Sequence, residues 1–280
     1  MITVVTGASR GAGKGIAIAL GAAGATVYVT GRSTSGAESP VGGSVAATAQ
    51  AVTEAGGRGV AVTLDHADDA AVRELFQRIG REHGRLDILV NNAAYLVDAP
   101  DPKAPFWEKP LAAADLITIG LRSHFVASYY AAPLLIANGK GLIVNTGHYG
   151  AVSYHWGPTY GAQKAGADKL AADMAKELRP HNVVAVSIWM GSIATERGLA
   201  HRRDLSEDAI EALQLESPQF AGRVIAALYA SDERMALSGR ALIGAELGER
   251  LGVKDIDGRQ PPSRRDTLGA PPELHPSLLS

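Results

Sequence analysis

At 280 residues and 29.1 kDa, with 46% hydrophobic and 20% charged residues, the chain is long enough for one large core or two small ones. A formal net charge of −2 without any long basic run argues against nucleic-acid or membrane partners, so a small-molecule partner is expected. The absence of cysteine excludes a disulfide framework, a thiolate zinc site and a thiol nucleophile; strand-like sequence begins at Ile2 and no apolar run reaches spanning length, so a cytoplasmic protein is expected.

Ile2 to Thr6 is short, β-branched and apolar, then gives way to Gly7-Ala8-Ser9-Arg10-Gly11-Ala12-Gly13 and an apolar helical pattern through Ala23. This order predicts a strand, a glycine loop and a helix. Gly7, Gly11 and Gly13 let the backbone of a loop that also carries Ser9 and Arg10 approach a pyrophosphate, and the helix start supplies free N–H groups and a positive dipole end. The spacing TGxxxGxG is related to the dinucleotide fingerprint GxGxxG but differs from it, and a glycine-rich turn of another α/β protein would read the same way.

Ala25 to Thr30 predicts a second strand. At its end, where an NAD site carries an acid for the ribose hydroxyls, the chain has Thr30-Gly31-Arg32-Ser33. Arg32 and Arg10 could clasp a 2′-phosphate, which favours NADP(H), or Arg32 is a solvated loop charge. A polar loop from Ser33 to Ser44 and a helix from Val45 to Ala55 follow. Arg58 to Leu64 predicts a third strand, with Asp65 at the end that faces a ligand crevice; it either accepts a hydrogen bond from an adenine amino group or caps a helix starting near Ala67 and ending near His83. Leu86 to Val90 predicts a fourth strand, after which the Asn91 amide is placed to tie neighbouring strand ends beside the cofactor.

Tyr95 to Pro110 is proline-rich and irregular, and a long helix is expected from Leu111 to Ala137. Lys140 to Thr146 predicts a fifth strand ending in Gly147-His148-Tyr149-Gly150. Pro158 then opens a helix in which Tyr160 and Lys164, four residues apart, share one face. A phenol with an unperturbed pKa near ~10 is a poor acid or base at neutral pH, and an adjacent ammonium is expected to lower that value, so the pair can move a proton. Val183 to Trp189 predicts a sixth strand, followed by Met190-Gly191-Ser192-Ile193-Ala194-Thr195 and a charged helical stretch from His201 to Leu215 that suits a substrate lid, about 195–215. A helix from Gln219 to Ala230 and a short strand from Arg240 to Ile243 close the pattern. From Lys254 onward Pro, Arg and Gly give an expected tail, extended or partly disordered unless it docks on a partner subunit.

Alternating strands and helices predict a single α/β domain over residues 1–250: a Rossmann-type, doubly wound, seven-stranded parallel sheet with helices on both faces, and residues 251–280 as a C-terminal extension. The glycine loop, Arg32, Asp65, Asn91, His148 and Thr195 all fall at strand carboxyl ends, where such folds bind ligands.

With the glycine loop, Asn91-Asn92-Ala93, the Tyr160 to Lys164 pair and Met190-Gly191 in that order, the chain resembles the short-chain dehydrogenase/reductase superfamily over about residues 1–245. Phe106-Trp107-Glu108, Gly120 to His124, Lys169 to Asp173 and Asp255 to Arg259 look like the subgroup named dehydrogenase/reductase family member 1. The resemblance implies an NAD(P)-dependent oxidoreductase in which Tyr160 passes the proton, Lys164 holds the nicotinamide ribose and lowers the Tyr160 pKa, and Thr195, in the loop with Ile193, holds the carboxamide. It also implies a homodimer or homotetramer paired through the Leu111–Ala137 and Thr159–Arg179 helices. Three positions depart from the pattern. The serine expected about a dozen residues before the tyrosine is absent; Thr146 would face the other way in a strand, His148 is the better-placed stand-in or only binds loop backbone, and Ser153 is a further candidate. Gly120 stands where an asparagine often anchors a proton-relay water, and Met190 where a proline is usual.

The aromatics Tyr95, Phe106, Trp107, Tyr149, Tyr154, Trp156 and Trp189 gather beside the strand ends, which suits an apolar, bulky substrate or plain core packing. The expected function is an NADPH-dependent carbonyl reductase or alcohol dehydrogenase. Reduction of an imine or activated C=C bond, or a cofactor-binding protein without redox turnover, remain the alternatives because the serine is missing.

Overall fold

The computed structural model describes residues 1–38, 41–95 and 104–278. Seven parallel strands form one sheet: β1 (Ile2–Val5), β2 (Thr26–Gly31), β3 (Arg58–Thr63), β4 (Ile88–Asn91), β5 (Gly141–Gly147), β6 (Val183–Trp189) and β7 (Ala241–Ile243), in the order β3-β2-β1-β4-β5-β6-β7. The order reverses between β1 and β4, paired at Thr3–Ile88 through Val5–Val90, and sheets of this kind bind ligands in the crevice outside the strand carboxyl ends at such a reversal. The expected doubly wound, seven-stranded parallel architecture is the one observed, with strand ends shifted by up to two residues.

Strands β1, β4, β5 and β6 are buried along their whole length because helices cover both faces, which is why they read as continuous apolar runs and not as alternating ones. On one face α1 (Gly11–Ala22), α2 (Val45–Glu54) and the later Phe220–Ala230 helix contribute Ile16, Leu20, Val52, Phe220, Val224 and Leu228. On the other, α3 (Asp69–His83) contributes Val72, Phe76 and Ile79. Asp68 caps α3 by accepting from the N–H groups of Ala70 and Ala71 at 2.9 and 3.1 Å, so the helix begins two residues later than the sequence suggests.

The expected single helix from Leu111 to Ala137 is broken into pieces. A 3-10 turn at Leu111–Ala114 leads to α4 (Asp115–Ile117), a π turn at Thr118–Arg122 and α5 (Ser123–Ala137). The break has a steric cause at Gly120, where a Cβ would lie 2.4 Å from Gln163 Nε2, so the backbone runs tight against α6 (Pro158–Leu178). The irregular Tyr95–Pro110 segment lies partly outside the described residues, and Phe106–Glu108 forms one 3-10 turn.

After β6, α7 (Glu196–Ala200) comes before the stretch expected to be a helix from His201 to Leu215, and within that stretch α8 (Glu207–Ala212) is the helical part, with turns on either side. Then come α9 (Phe220–Ala230), α10 (Arg234–Leu237), α11 (Gly244–Arg250) and α12 (Arg265–Leu268). The segment beyond Lys254, whose composition reads as a tail, packs on its own chain. Asp255 accepts from the Ser217 backbone N–H at 2.7 Å and from its hydroxyl, Gln260 donates to Ala245 O, and Arg264 N–H donates to the Tyr149 hydroxyl at 3.0 Å. Among the described residues no helix is long and apolar enough to cross a membrane.

Candidate active site

Helix α6 starts on Pro158 and stacks Tyr160, Lys164 and Asp168 at four-residue intervals on its sheet-facing side, where all three are buried. Lys164 Nζ donates to Thr146 O at 2.9 Å and lies 5.6 Å from the centre of the Tyr160 ring. Burial lowers the Lys164 pKa to about 8 against the opposing attraction of Asp168. The Tyr160 phenol moves opposite to expectation: burial pushes its pKa up, and the nearby ammonium does not offset that. Tyr160 is therefore a phenol that holds its proton.

His148 follows the last residue of β5. Its Nδ1 accepts from Gly150 N–H at 2.9 Å, capping the 3-10 turn Tyr149–Ala151. That bond fixes the tautomer: with Nδ1 as acceptor, the neutral ring carries its proton on Nε2. Burial, then Lys164 and His155, hold the pKa down at about 3, so the ring is neutral. Its centre lies 5.6 Å from that of Tyr160 and 4.8 Å from that of His155. One nitrogen of His148 therefore binds loop backbone, and the other carries the proton of the neutral ring.

The sequence has no serine here for a local reason. A Cβ at Gly147 would fall 2.4 Å from Trp189 Cδ1 and 2.5 Å from Ser187 Oγ. Thr146 faces away as expected, its hydroxyl donating to Asn91 O at 3.3 Å. The Ser153 hydroxyl donates to Tyr149 O and meets His155 Nδ1 at 3.2 Å, so it is already engaged.

At the other end of the crevice the glycine loop joins β1 to α1. A Cβ at Gly13 would lie 2.4 Å from Asn92 Nδ2, which itself donates to Thr6 O and Gly7 O. Asn92 secures this loop, and the fully buried Asn91 amide ties the ends of β4 and β5 as expected, donating to Ser128 Oγ and Asn145 Oδ1. Arg10 at the helix start offers no oxygen as a cap, and the Gly11 N–H instead donates to Glu196 Oε2 at 2.9 Å, with Lys14 3.6 Å from the same carboxylate. Glu196 stands in for an external anion. The loop therefore fits a phosphate by its chemistry: free N–H groups, the dipole end and a lysine.

Arg10 reaches the corner expected of it but is engaged there, donating to Ser33 Oγ and to the carbonyls of Gly42 and Gly43. Arg32 is largely exposed beside Asp65, at 4.0 Å. Asp65 Oδ1 accepts from Ala67 N–H at 2.9 Å, a local turn bond that leaves the capping of α3 to Asp68. Ser9 is buried, its carbonyl accepting from Thr48. Thr195 lies against the loop, its Cγ2 3.6 Å from a Cβ built on Gly11, and its hydroxyl caps α7 at Gly198 N–H. Ile193 pairs with Glu216 in an isolated bridge, and the Glu216 side chain accepts from Gly191 N–H at 3.0 Å. Burial pushes the Glu216 carboxyl up to about 7.

The aromatic set divides. Tyr149 and Trp189 are core, stacked edge to face at 5.3 Å, with Ile243 and Leu268 beside them. Phe106, Trp107, Tyr154 and Trp156 are exposed, and Trp156 tilts over Tyr160 at 4.9 Å with a φ of 53° that an L residue rarely adopts. The Lys109 ammonium donates to Trp156 O and holds it there. Sequence reading named Asn92 within a motif without giving it this task, and it missed Asp168, Glu196 and Glu216. Asp168 alone left a signal, since it continues the four-residue spacing of Tyr160 and Lys164.

A profile described as short chain dehydrogenase matches residues 1–205. The mouse protein Dehydrogenase/reductase SDR family member 1 is 42% identical over 270 residues, covering 92% of this chain and 84% of that one, and the human protein of the same name is 39% identical with the same coverage. The 3-oxoacyl-(acyl-carrier-protein) reductase of Escherichia coli is 30% identical, covering 86% and 94%. Among solved structures, a short-chain type dehydrogenase/reductase from Mycobacterium marinum superposes with a TM-score of 0.71 at 25% identity, covering 86% of this chain and 92% of that one.

Proposed function

The chain belongs to the short-chain dehydrogenase/reductase family, and from that premise we propose an NADPH-dependent carbonyl reductase, or alcohol dehydrogenase in reverse, acting on a moderately apolar small molecule. One observation carries the reading: a neutral His148 with its proton fixed on Nε2, beside a phenol that keeps its own. A ketone oxygen placed between them receives two hydrogen bonds. His148 stabilises the negative charge that builds there, and Tyr160 transfers its proton to complete the alcohol. The bound nicotinamide supplies the hydride. Lys164 holds the ribose and, as an ammonium beside Tyr160, steadies the phenolate left behind.

The glycine loop with Ser9, Gly11 and Gly13 receives the pyrophosphate, which requires Glu196 to leave the Gly11 N–H. Arg32 and Arg10, at the end of β2 and in the loop, favour a 2′-phosphate over a free ribose hydroxyl; Asp65 remains nearby for the adenine amino group, and Ile193 and Thr195 for the carboxamide. Exposed Tyr154 and Trp156 give the mouth an apolar rim, which supports a substrate with an apolar body.

The test follows NADPH absorbance against a panel of ketones and quinones. Tyr160→Phe should abolish turnover while NADPH affinity, read by intrinsic fluorescence, stays within a few-fold of wild type. Wild-type turnover by Tyr160→Phe would sink the proposal. In the same titration NADPH should bind at least about tenfold more tightly than NADH, roughly 1.4 kcal/mol, and Arg32→Asp should reverse that preference.

A further inference from the structure

Behind Lys164, one more turn along α6, the Asp168 carboxylate is buried with both oxygens 3.0 Å from Trp189 Nε1. Trp189, the last residue of β6, is fully buried and packs edge-on against Tyr149, whose hydroxyl is fixed by the Arg264 N–H of the C-terminal segment. Neutral donors, the Trp189 indole N–H and the neighbouring Ser187 hydroxyl, do not by themselves offset the burial of a carboxylate; a cation does, and Lys164 is the one on the same helix face. The exchange is mutual. A lone ammonium in the same place would shed its proton: Lys164 donates to the neutral Thr146 carbonyl, and Asp168 acts on it from one helical turn away on the same buried face.

We propose that Asp168, oriented by Trp189, is the positioning residue that keeps Lys164 an ammonium against its burial, so that the Tyr160–Lys164 pair stays competent above neutral pH. This rests on the catalytic reading of Lys164 given above. Other groups facing Lys164 cannot substitute. On its own helix Tyr160 keeps its proton; His148 and Tyr149 from the turn after β5 and His124 from α5 are uncharged, His124 being held at about 3 by burial and by Lys164 itself. Asp115 on α4 is exposed, and Arg122 of the π turn is paired with Asp69 on the surface. Asp168 titrates at about 6, raised by burial, and Lys164 at about 8, so between these values the pair is ionised on both sides. The sign follows: removing the carboxylate leaves burial unopposed, and the lysine loses its proton at lower pH.

The test is a lysine-methylene NMR titration of the cofactor-free protein, assigned with Lys164→Met, alongside pH profiles of turnover. Asp168→Asn keeps a carbonyl oxygen for Trp189 and should lower the Lys164 midpoint by about one pH unit or more, moving the alkaline limb of turnover down with it and cutting turnover about fivefold or more at pH 8. Trp189→Phe, which removes the N–H that favours the ionised carboxylate, should shift both in the same direction by less. An unmoved Lys164 midpoint in Asp168→Asn overturns the proposal. Unimpaired turnover by Lys164→Met overturns instead the catalytic reading of the lysine, whatever its midpoint does.

Discussion

His148 is neutral across any ordinary assay range, because burial, Lys164 and His155 hold its pKa near about 3. A free imidazole would have added an inflection near neutrality; this one should add none between pH 5 and 8, and the profile should fall on the alkaline side as Lys164 loses its proton near about 8. His148→Ala should lower turnover by about 10²–10³, or 2.7–4 kcal/mol, the worth of one such donor, and His148→Ser should restore part of it with the same profile shape. An inflection near 6.5 that vanishes in His148→Ser would refute the depressed pKa of the buried ring. At this scale the sequence was informative where chemistry depends on spacing along one element, as for Tyr160 and Lys164. It was silent where chemistry depends on enclosure: the phenol was expected to become more acidic, and burial makes it less so. Asp168 and Trp189, 21 residues apart on different elements, meet only because α6 lies on β6.

Helix α7 begins with Glu196, whose carboxylate accepts from the first N–H of α1, a charge-assisted bond of about 1.5–3 kcal/mol in the place proposed for the pyrophosphate. Glu196→Gln removes the competing charge and should tighten NADPH binding about three- to tenfold, roughly 0.7–1.4 kcal/mol, in a fluorescence titration; weaker binding would mean that Glu196 does not compete. The break ahead of α5 is a second element-scale matter. Composition promised a continuous helix, and what interrupts it is the Gln163 amide, which donates to Gly120 O at 3.2 Å. Gly120→Asn alone should destabilise by about 1–3 kcal/mol through overpacking, and adding Gln163→Ala should recover much of that, a coupling that urea melts of the two single variants and the double variant would reveal. Elements whose ends are marked by local chemistry, such as Pro158 for α6, were legible; this one was decided by a residue more than 40 positions away.

For the molecule as a whole, three histidines fold with depressed pKa values, His66 at about 4 and His124 and His148 at about 3, against an ordinary 6.5. The unfolded chain therefore binds more protons below 6.5, and stability is lost as pH falls through that window. Asp168 at about 6 and Glu216 at about 7 act in the opposite sense, the native state binding more protons as pH falls towards 4.5. The histidine shifts are larger and more numerous, so the urea midpoint should be lower at pH 5 than at pH 7. A second copy of the chain is proposed to cover α5, where Phe125 and Tyr129 are half or more exposed; light scattering at micromolar concentration should report a dimer or tetramer, and a 29 kDa species alone would refute it. The parallel sheet was readable from alternating patterns, whereas the docking of residues 254–278 was not, because it depends on single bonds such as Arg264 to Tyr149 and not on any periodicity. That docking has a consequence for biosynthesis. Domains assemble as the chain emerges, and this segment emerges after every strand of the sheet, yet it closes the Tyr149–Trp189 cluster behind Lys164. A nascent or prematurely terminated chain completes the sheet and still lacks the finished cluster behind Lys164, so, on the proposed role of that lysine, a late nonsense mutation is expected to act as a lesion of the proposed site without replacing any of its residues.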